Sequence, residues 1–194
     1  MNQIIREAME AGIALRQACL ESLETPLLKA SERMVSCLQN GGKILVCGNG
    51  GSAADAQHFA GELVNRFEIN RRGLAAIAMT HDASVITSIA NDFSFDDIFS
   101  RQVEALGRPG DLLLAISTSG NSANVLKAID AAKVAGMESI ALTGKDGGII
   151  GKSDALAVQL NIAHPSTPRV QEMHITCLHI LCSLVDESMF GAKG

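Results

Sequence analysis

His58 and Glu62 lie four residues apart in a segment with helical spacing, so both side chains fall on one face, one turn apart. An imidazole and a carboxylate placed in this way can bind one metal ion, or can act as a base and the group that orients it. A surface His–Glu pair is the commoner explanation of this spacing taken alone. The pair is therefore a candidate site that needs further ligands elsewhere in the chain.

The predicted last helix carries three further candidates, Gln171, His174 and His179. Gln171 and His179 are eight residues apart, about 12 Å along a straight helix at 1.5 Å per residue, whereas metal ligands lie about 2 Å from their ion. Both could reach one ion only if the helix were distorted or if they came from different subunits. We prefer the second explanation, which makes oligomerisation part of the chemistry; a buried core histidine is the alternative for either His.

A loop rich in hydroxyl groups follows the apolar run DLLLAI and precedes a predicted helix. Its four hydroxyl residues are Ser117, Thr118, Ser119 and Ser122. A helix N-terminus offers unpaired N–H donors and partial positive charge, which suit a phosphate, and the hydroxyl groups add neutral donors. Capping of the helix is the simpler explanation for a single serine, but four hydroxyl groups in six residues favour phosphate binding.

A glycine-rich loop, Gly48-Asn49-Gly50-Gly51-Ser52, follows the apolar run before it. It matches neither the Walker sequence nor GxGxxG. Its glycines fit a tight turn, and they equally fit a close approach of the backbone to a ligand.

The elements that position these loops alternate between apolar strands and helices. Strands that are apolar throughout and separated by helices indicate a parallel sheet covered on both faces, and such sheets bind ligands at the carboxyl ends of their strands. We predict an α/β fold with a five-stranded parallel sheet, its strands at residues 43–47, 74–79, 111–117, 138–143 and 155–160. Two helices separated by Pro26, residues 3–23 and 27–39, predict an N-terminal helical hairpin (1–40) attached to an α/β core (43–194) within one domain.

Composition excludes several classes of function. The chain has 16 Lys and Arg against 21 Asp and Glu, contains no Trp or Tyr, and has no basic patch, so we expect no nucleic-acid partner. No apolar run approaches the roughly 18 residues of a membrane span, and the first residues lack the apolar core of a signal peptide. We therefore expect a cytoplasmic protein, whose five cysteines are small buried hydrophobic residues.

Four segments together resemble the sugar isomerase (SIS) domain and, more narrowly, the phosphoheptose isomerase family. They are CGNGGSAADAQHFAGEL, ISTSGNSANV, TGKDGG and RVQEMHI. The resemblance covers nearly the whole chain. It implies a three-layer sandwich, a homotetramer with active sites between subunits, and isomerisation of sedoheptulose 7-phosphate to D-glycero-D-manno-heptose 7-phosphate, the first step towards ADP-heptose and the lipopolysaccharide core.

The resemblance also implies roles for individual residues. Phosphate binding falls to the four hydroxyl residues, Ser117, Thr118, Ser119 and Ser122. The isomerisation itself needs a base near the reacting carbon and an acid near the carbonyl oxygen, and an enediol is the economical route; Glu62 is our candidate base and His179 our candidate acid. One zinc ion per subunit would be bound by His58, Glu62, Gln171 and His179, which leaves His174 as a core residue. The remaining substrate-binding residues would be Asn49, Gly50, Gly51, Ser52, Glu62, Arg66, Asn91, Asp92 and Gln171.

Two other functions are compatible with the same fold. A relative of these isomerases binds the replication initiator DnaA, but it lacks the residues that match Glu62 and His179 and interrupts the hydroxyl loop with a basic residue. A phosphosugar-sensing regulator would need an effector domain, for which this chain has no residues left over. We therefore expect an enzyme.

Overall fold

The computed structural model describes residues 1–191 and confirms the predicted α/β architecture. Within these residues, five parallel strands form one sheet in the order β2-β1-β3-β4-β5. The strands are β1 (Ile44–Gly48), β2 (Ala76–Ala78), β3 (Leu112–Ser117), β4 (Glu138–Gly144) and β5 (Leu156–Ile162). The α-helices are α1 (Asn2–Gln39), α2 (Gly51–Val64), α3 (Ala83–Asp92), α4 (Ser100–Leu106), α5 (Ala123–Val134) and α6 (Thr167–Phe190), with 3-10 turns at Phe95–Asp97 and Ile150–Lys152.

Helices cover both faces of the sheet, which explains why its central strands are apolar throughout. Ile44 and Val46 of β1 face a core built with α1, α2 and α6, and Leu45 and Cys47 face a second core built with α4 and α5. All residues of β1 and β3 are buried. The five cysteines are buried and unpaired, as predicted.

The predicted N-terminal hairpin is wrong, because residues 2–39 form one continuous helix with Pro26 inside it. Buried side chains continue at helical spacing on both sides of the proline; they include Leu15, Cys19, Leu23, Leu27, Ala30 and Met34. Proline inside a helix costs about 3 kcal/mol, and each large apolar side chain that is buried returns about 1.5–3 kcal/mol. Packing of this stripe against α6 and β5 therefore outweighs the local break.

The order of the strands in the sheet brings the two candidate loops together at the carboxyl ends of neighbouring strands. β1 and β3 are neighbours with Gly48 paired to Ile116, so the residues that follow each strand emerge side by side. α2 begins at Gly51, within the glycine-rich loop, and α6 packs along α2. Within residues 1–191, no helix is both long and apolar enough to cross a membrane.

Candidate active site

Three of the four predicted metal ligands converge within this one chain. The Nε2 atoms of His58 and His179 are 3.0 Å apart, and the His58 Nε2 is 3.3 Å from the Glu62 Oε1. The side chains of His58 and Glu62 are 48% and 24% exposed. His179 is half-buried and lies beside the ring of Phe67. The packing of α6 on α2 therefore joins residues 121 positions apart.

The donor atoms of this cluster suit zinc. Imidazole nitrogen and carboxylate oxygen are its usual ligands, and two ligands on one tetrahedral zinc ion lie about 3.3 Å apart. The separations of 3.0 Å and 3.3 Å around the His58 Nε2 are close to that value. As the side chains stand, no group of three or more His, Cys, Asp or Glu within residues 1–191 has the full arrangement of a metal site.

Gln171, the fourth predicted ligand, lies at the other end of the contact between α2 and α6. Its side-chain amide packs on Gly51, where any side chain would collide with it. His58 and His179 meet two turns further along both helices. In a single chain, Gln171 of α6 therefore contacts the N-terminal end of α2, whereas His179 of α6 contacts α2 further along, at His58.

The hydroxyl loop surrounds the N-terminus of α5. Ser122 is the N-cap residue, but its side chain does not cap the helix; its hydroxyl instead lies 2.9 Å from the hydroxyl of Ser117. Capping thus fails to explain this serine. The loop reverses at Gly120, whose φ of 65° favours glycine, and the Gly120 carbonyl accepts a hydrogen bond from Ile150 N.

The glycine-rich loop leads into a second helix N-terminus, that of α2, which lies beside the N-terminus of α5. Gly50 is the N-cap of α2 with φ 55°, a conformation that explains the need for glycine, and among residues 1–191 no side chain caps this helix. Ser52 is buried. Asn49 is joined to Asn124 of α5 by two side-chain hydrogen bonds, and Asn124 was missing from the sequence prediction.

The other predicted substrate residues are exposed. Arg66 follows α2 and donates a hydrogen bond to the carbonyl of Phe67. Asn91 and Asp92 end α3 and bond to one another. Among residues 1–191, no hydrogen bond joins these three side chains to either loop. Their roles remain predictions.

Asp55 is a further candidate that sequence reasoning missed. It lies one turn before His58, and its Oδ2 is buried without a hydrogen-bond partner among residues 1–191. Burial raises the pKa of its carboxyl group, and the nearby His58 opposes that rise. The sequence did offer one indication of this candidate, because residues three apart, such as Asp55 and His58, share one face of a helix.

Arg71 holds the C-terminal end of α2 in place from within the protein. Its guanidinium group donates hydrogen bonds to the carbonyls of Glu62 and Leu63, at 2.9 Å each. The same group forms a buried ion pair with Asp186 of α6. It thereby fixes the backbone of Glu62 relative to the helix that carries His179.

The chain is similar to known proteins over nearly its full length. The family model described as "SIS domain" matches residues 9–144. A phosphoheptose isomerase from Shewanella sediminis is 51% identical over 191 residues, which cover 98% of this chain and 97% of that protein. The solved phosphoheptose isomerase of Neisseria gonorrhoeae is 48% identical with a TM-score of 0.91, over 96% of this chain and 98% of that one.

A third relative agrees with the first two. The solved phosphoheptose isomerase of Francisella tularensis is 40% identical with a TM-score of 0.91, over 95% of this chain and 97% of that one. These relatives support an isomerase and do not support a DnaA-binding adaptor. The chain is thus an isomerase of the phosphoheptose isomerase family, within the SIS-domain proteins.

Proposed function

We propose that the protein converts sedoheptulose 7-phosphate into D-glycero-D-manno-heptose 7-phosphate through an enediol, in the cytoplasm, as the first step towards ADP-heptose and the lipopolysaccharide core. The observation that carries this proposal is the cluster of His58, Glu62 and His179, which lies about two turns along α2 from the helix N-terminus at the glycine-rich loop. The N-terminus of α5, at the hydroxyl loop, is joined to the glycine-rich loop through Asn49 and Asn124. In this proposal the sugar end of the substrate reaches the Glu62 carboxylate and the His179 imidazole while its phosphate lies at the hydroxyl loop.

Glu62 and His179 divide the proton transfers between carbon and oxygen. The Glu62 carboxylate takes a proton from C1 of the ketose and returns it to C2, while His179 donates a proton to the oxygen on C2 and accepts one from the oxygen on C1. Each group ends in its starting state, so the reaction needs no oxidant or reductant. Arg71 supports the base by holding the backbone of Glu62.

We place a zinc ion at His58, Glu62 and His179, with Gln171 as fourth ligand. A zinc ion there would supply Lewis acidity that polarises the substrate carbonyl. A carboxylate that binds metal is a weaker base, and an imidazole nitrogen that binds metal carries no proton to donate, so the two roles of Glu62 compete and so do those of His179. Measurement of zinc content beside activity separates these roles.

The hydroxyl residues Ser117, Thr118, Ser119 and Ser122 bind the phosphate in this proposal, together with the N–H groups of α5. The glycine-rich loop, Asn49 to Ser52, faces the sugar. Charge supports the arrangement, because helix N-termini and hydroxyl groups bind an anion without lysine or arginine in a chain of net charge −5. Arg66, Asn91, Asp92 and Gln171 are proposed to complete the sugar site.

The proposed assembly is a homotetramer with active sites between subunits. One straight helix separates Gln171 from His179 by about 12 Å, so a site that uses both takes them from different copies. The N-terminal part of α1 also exposes an apolar surface that a second copy would bury; it consists of Ile4, Ile5, Met9 and Ile13.

The test is direct conversion of sedoheptulose 7-phosphate, followed by NMR, for the parent protein and for Glu62→Gln and His179→Ala. Each change should lower turnover about 100-fold or more, the scale of a positioned acid or base. Glu104→Gln, on an exposed part of α4, is the matched control and should keep parent activity. Normal turnover by both variants, with zinc content unchanged, would mean that neither residue is catalytic.

A further inference from the structure

Asn49 and Asn124 form a reciprocal amide pair between the two loops of the site. The Asn49 Nδ2 donates to the Asn124 Oδ1, and the Asn124 Nδ2 donates to the Asn49 Oδ1, at 2.9 Å each. Asn124 is only 2% exposed. Burial of an amide is tolerated where its polar atoms are paired in this way.

The pair lies where the two loops leave neighbouring strands. Asn49 is the first residue after β1, and Asn124 is two residues past the N-cap Ser122 of α5. Within residues 1–191, these two bonds are the only side-chain hydrogen bonds between residues 49–52 and residues 117–124. The pair therefore fixes the distance from the glycine-rich loop to the N-terminus of α5.

We propose that Asn124 is a positioning residue that acts through Asn49 to set the separation of the hydroxyl loop, which binds the phosphate, from the glycine-rich loop, which faces the sugar. This inference rests on the proposed function, in which the two ends of one substrate occupy the two loops. A ligand that spans both loops depends on their separation, since misplacement of one end weakens binding and removes the reacting carbons from the acid and base. A ligand that occupies one loop does not depend on it.

Inorganic phosphate and sedoheptulose 7-phosphate are therefore the two probes. For Asn124→Ala we expect kcat/KM for the sugar phosphate to fall about 10-fold, the effect of losing about 1.4 kcal/mol, while inhibition by inorganic phosphate changes less than about two-fold. Asn49→Ala should behave alike, and the double variant should be no worse than the more damaged single variant, as for residues that act as a unit.

Asn121→Ala is the matched control in the neighbouring loop. The Asn121 Nδ2 donates a hydrogen bond to the Ser119 carbonyl, and its Oδ1 accepts one from Ile149 N, so the side chain supports the hydroxyl loop itself. Its removal should weaken the binding of inorganic phosphate and of the sugar phosphate to the same extent. Thermal unfolding and oligomeric state are measured for every variant, and Asn124→Ser replaces Asn124→Ala if the alanine variant does not fold.

If the Asn124 variants weakened inhibition by inorganic phosphate as much as they lowered kcat/KM for the sugar phosphate, the pair would be a structural contact only, and the positioning role would be wrong. Unchanged kinetics would do the same, and so would additive effects of the two single changes. A parent protein that does not turn over sedoheptulose 7-phosphate would instead count against the proposed function, from which the inference follows. The parent measurement therefore distinguishes the two failures.

Discussion

Burial of His174 predicts that the protein loses stability as the pH falls from about 6.5 towards about 4. The ring is fully buried in α6, and its Nε2 lies 2.9 Å from the carbonyl of Thr143. A carbonyl can only accept, so Nε2 carries the hydrogen and Nδ1 is left unprotonated. Nδ1 has no hydrogen-bond partner among residues 1–191, so a second proton there would place an unpaired charge in the core.

The size of the effect follows from the pKa. Burial lowers the pKa of His174 from 6.5 to about 4, and the Thr143 hydrogen bond opposes the change. Between about pH 4 and pH 6.5, His174 is protonated in the unfolded chain and neutral in the folded chain, so the free energy of unfolding rises with pH. At about 1.4 kcal/mol per pH unit, His174 alone removes about 3 kcal/mol of folding free energy by pH 4.

The assay is urea unfolding from pH 4 to pH 7.5 at a fixed protein concentration, because the proposed assembly would make stability concentration-dependent. His174→Gln keeps an N–H that can donate to Thr143 but cannot gain a proton. The difference in unfolding free energy between parent and His174→Gln should shift in favour of the variant as the pH falls below 6.5. His81→Gln, at an exposed position, controls for the loss of a histidine and should follow the parent.

A difference between parent and His174→Gln that stays constant across this pH range would refute the argument. It would mean that folded and unfolded chains bind the same number of protons at this position. The carboxylates that titrate in the same range are common to both proteins and cancel in the difference.

Three further experiments test other parts of the site. Arg71→Met leaves a buried carboxylate unpaired and should lower stability by about 3–5 kcal/mol in urea unfolding; a loss below about 1 kcal/mol would contradict a buried ion pair. Gly120→Ala should raise KM for the sugar phosphate at least 10-fold, because the φ of Gly120 is 65° and a side chain there would collide with the backbone of Gly147. Gly110→Ala is the control, because Gly110 also has a positive φ, 89°, but a side chain there would meet no atom within 4 Å. Inactive Gln171→Ala and His179→Ala chains, assembled together, should regain about a quarter of parent activity if each site takes these residues from two copies at random; no recovery after proven subunit exchange would place both in one chain.

The sequence alone was sufficient for the sheet and for the loops at its edge. Strands such as β1 and β3 are short uninterrupted apolar runs that end at glycine or serine and are separated by helices, and that pattern is typical of a parallel sheet buried on both faces. The spacing of His58 and Glu62 likewise placed both on one helix face, because helix geometry depends only on neighbours in sequence.

Tertiary packing decided the features that depend on distant residues. Pro26 predicted a break that the continuous apolar stripe of α1 overrides, since the sheet and α6 bury both halves together. The approach of His179 to His58 and the pairing of Asn49 with Asn124 join residues 121 and 75 positions apart. Their spacing in sequence carries no information about distance, because the packing of α6 and α5 on the sheet brings these side chains together.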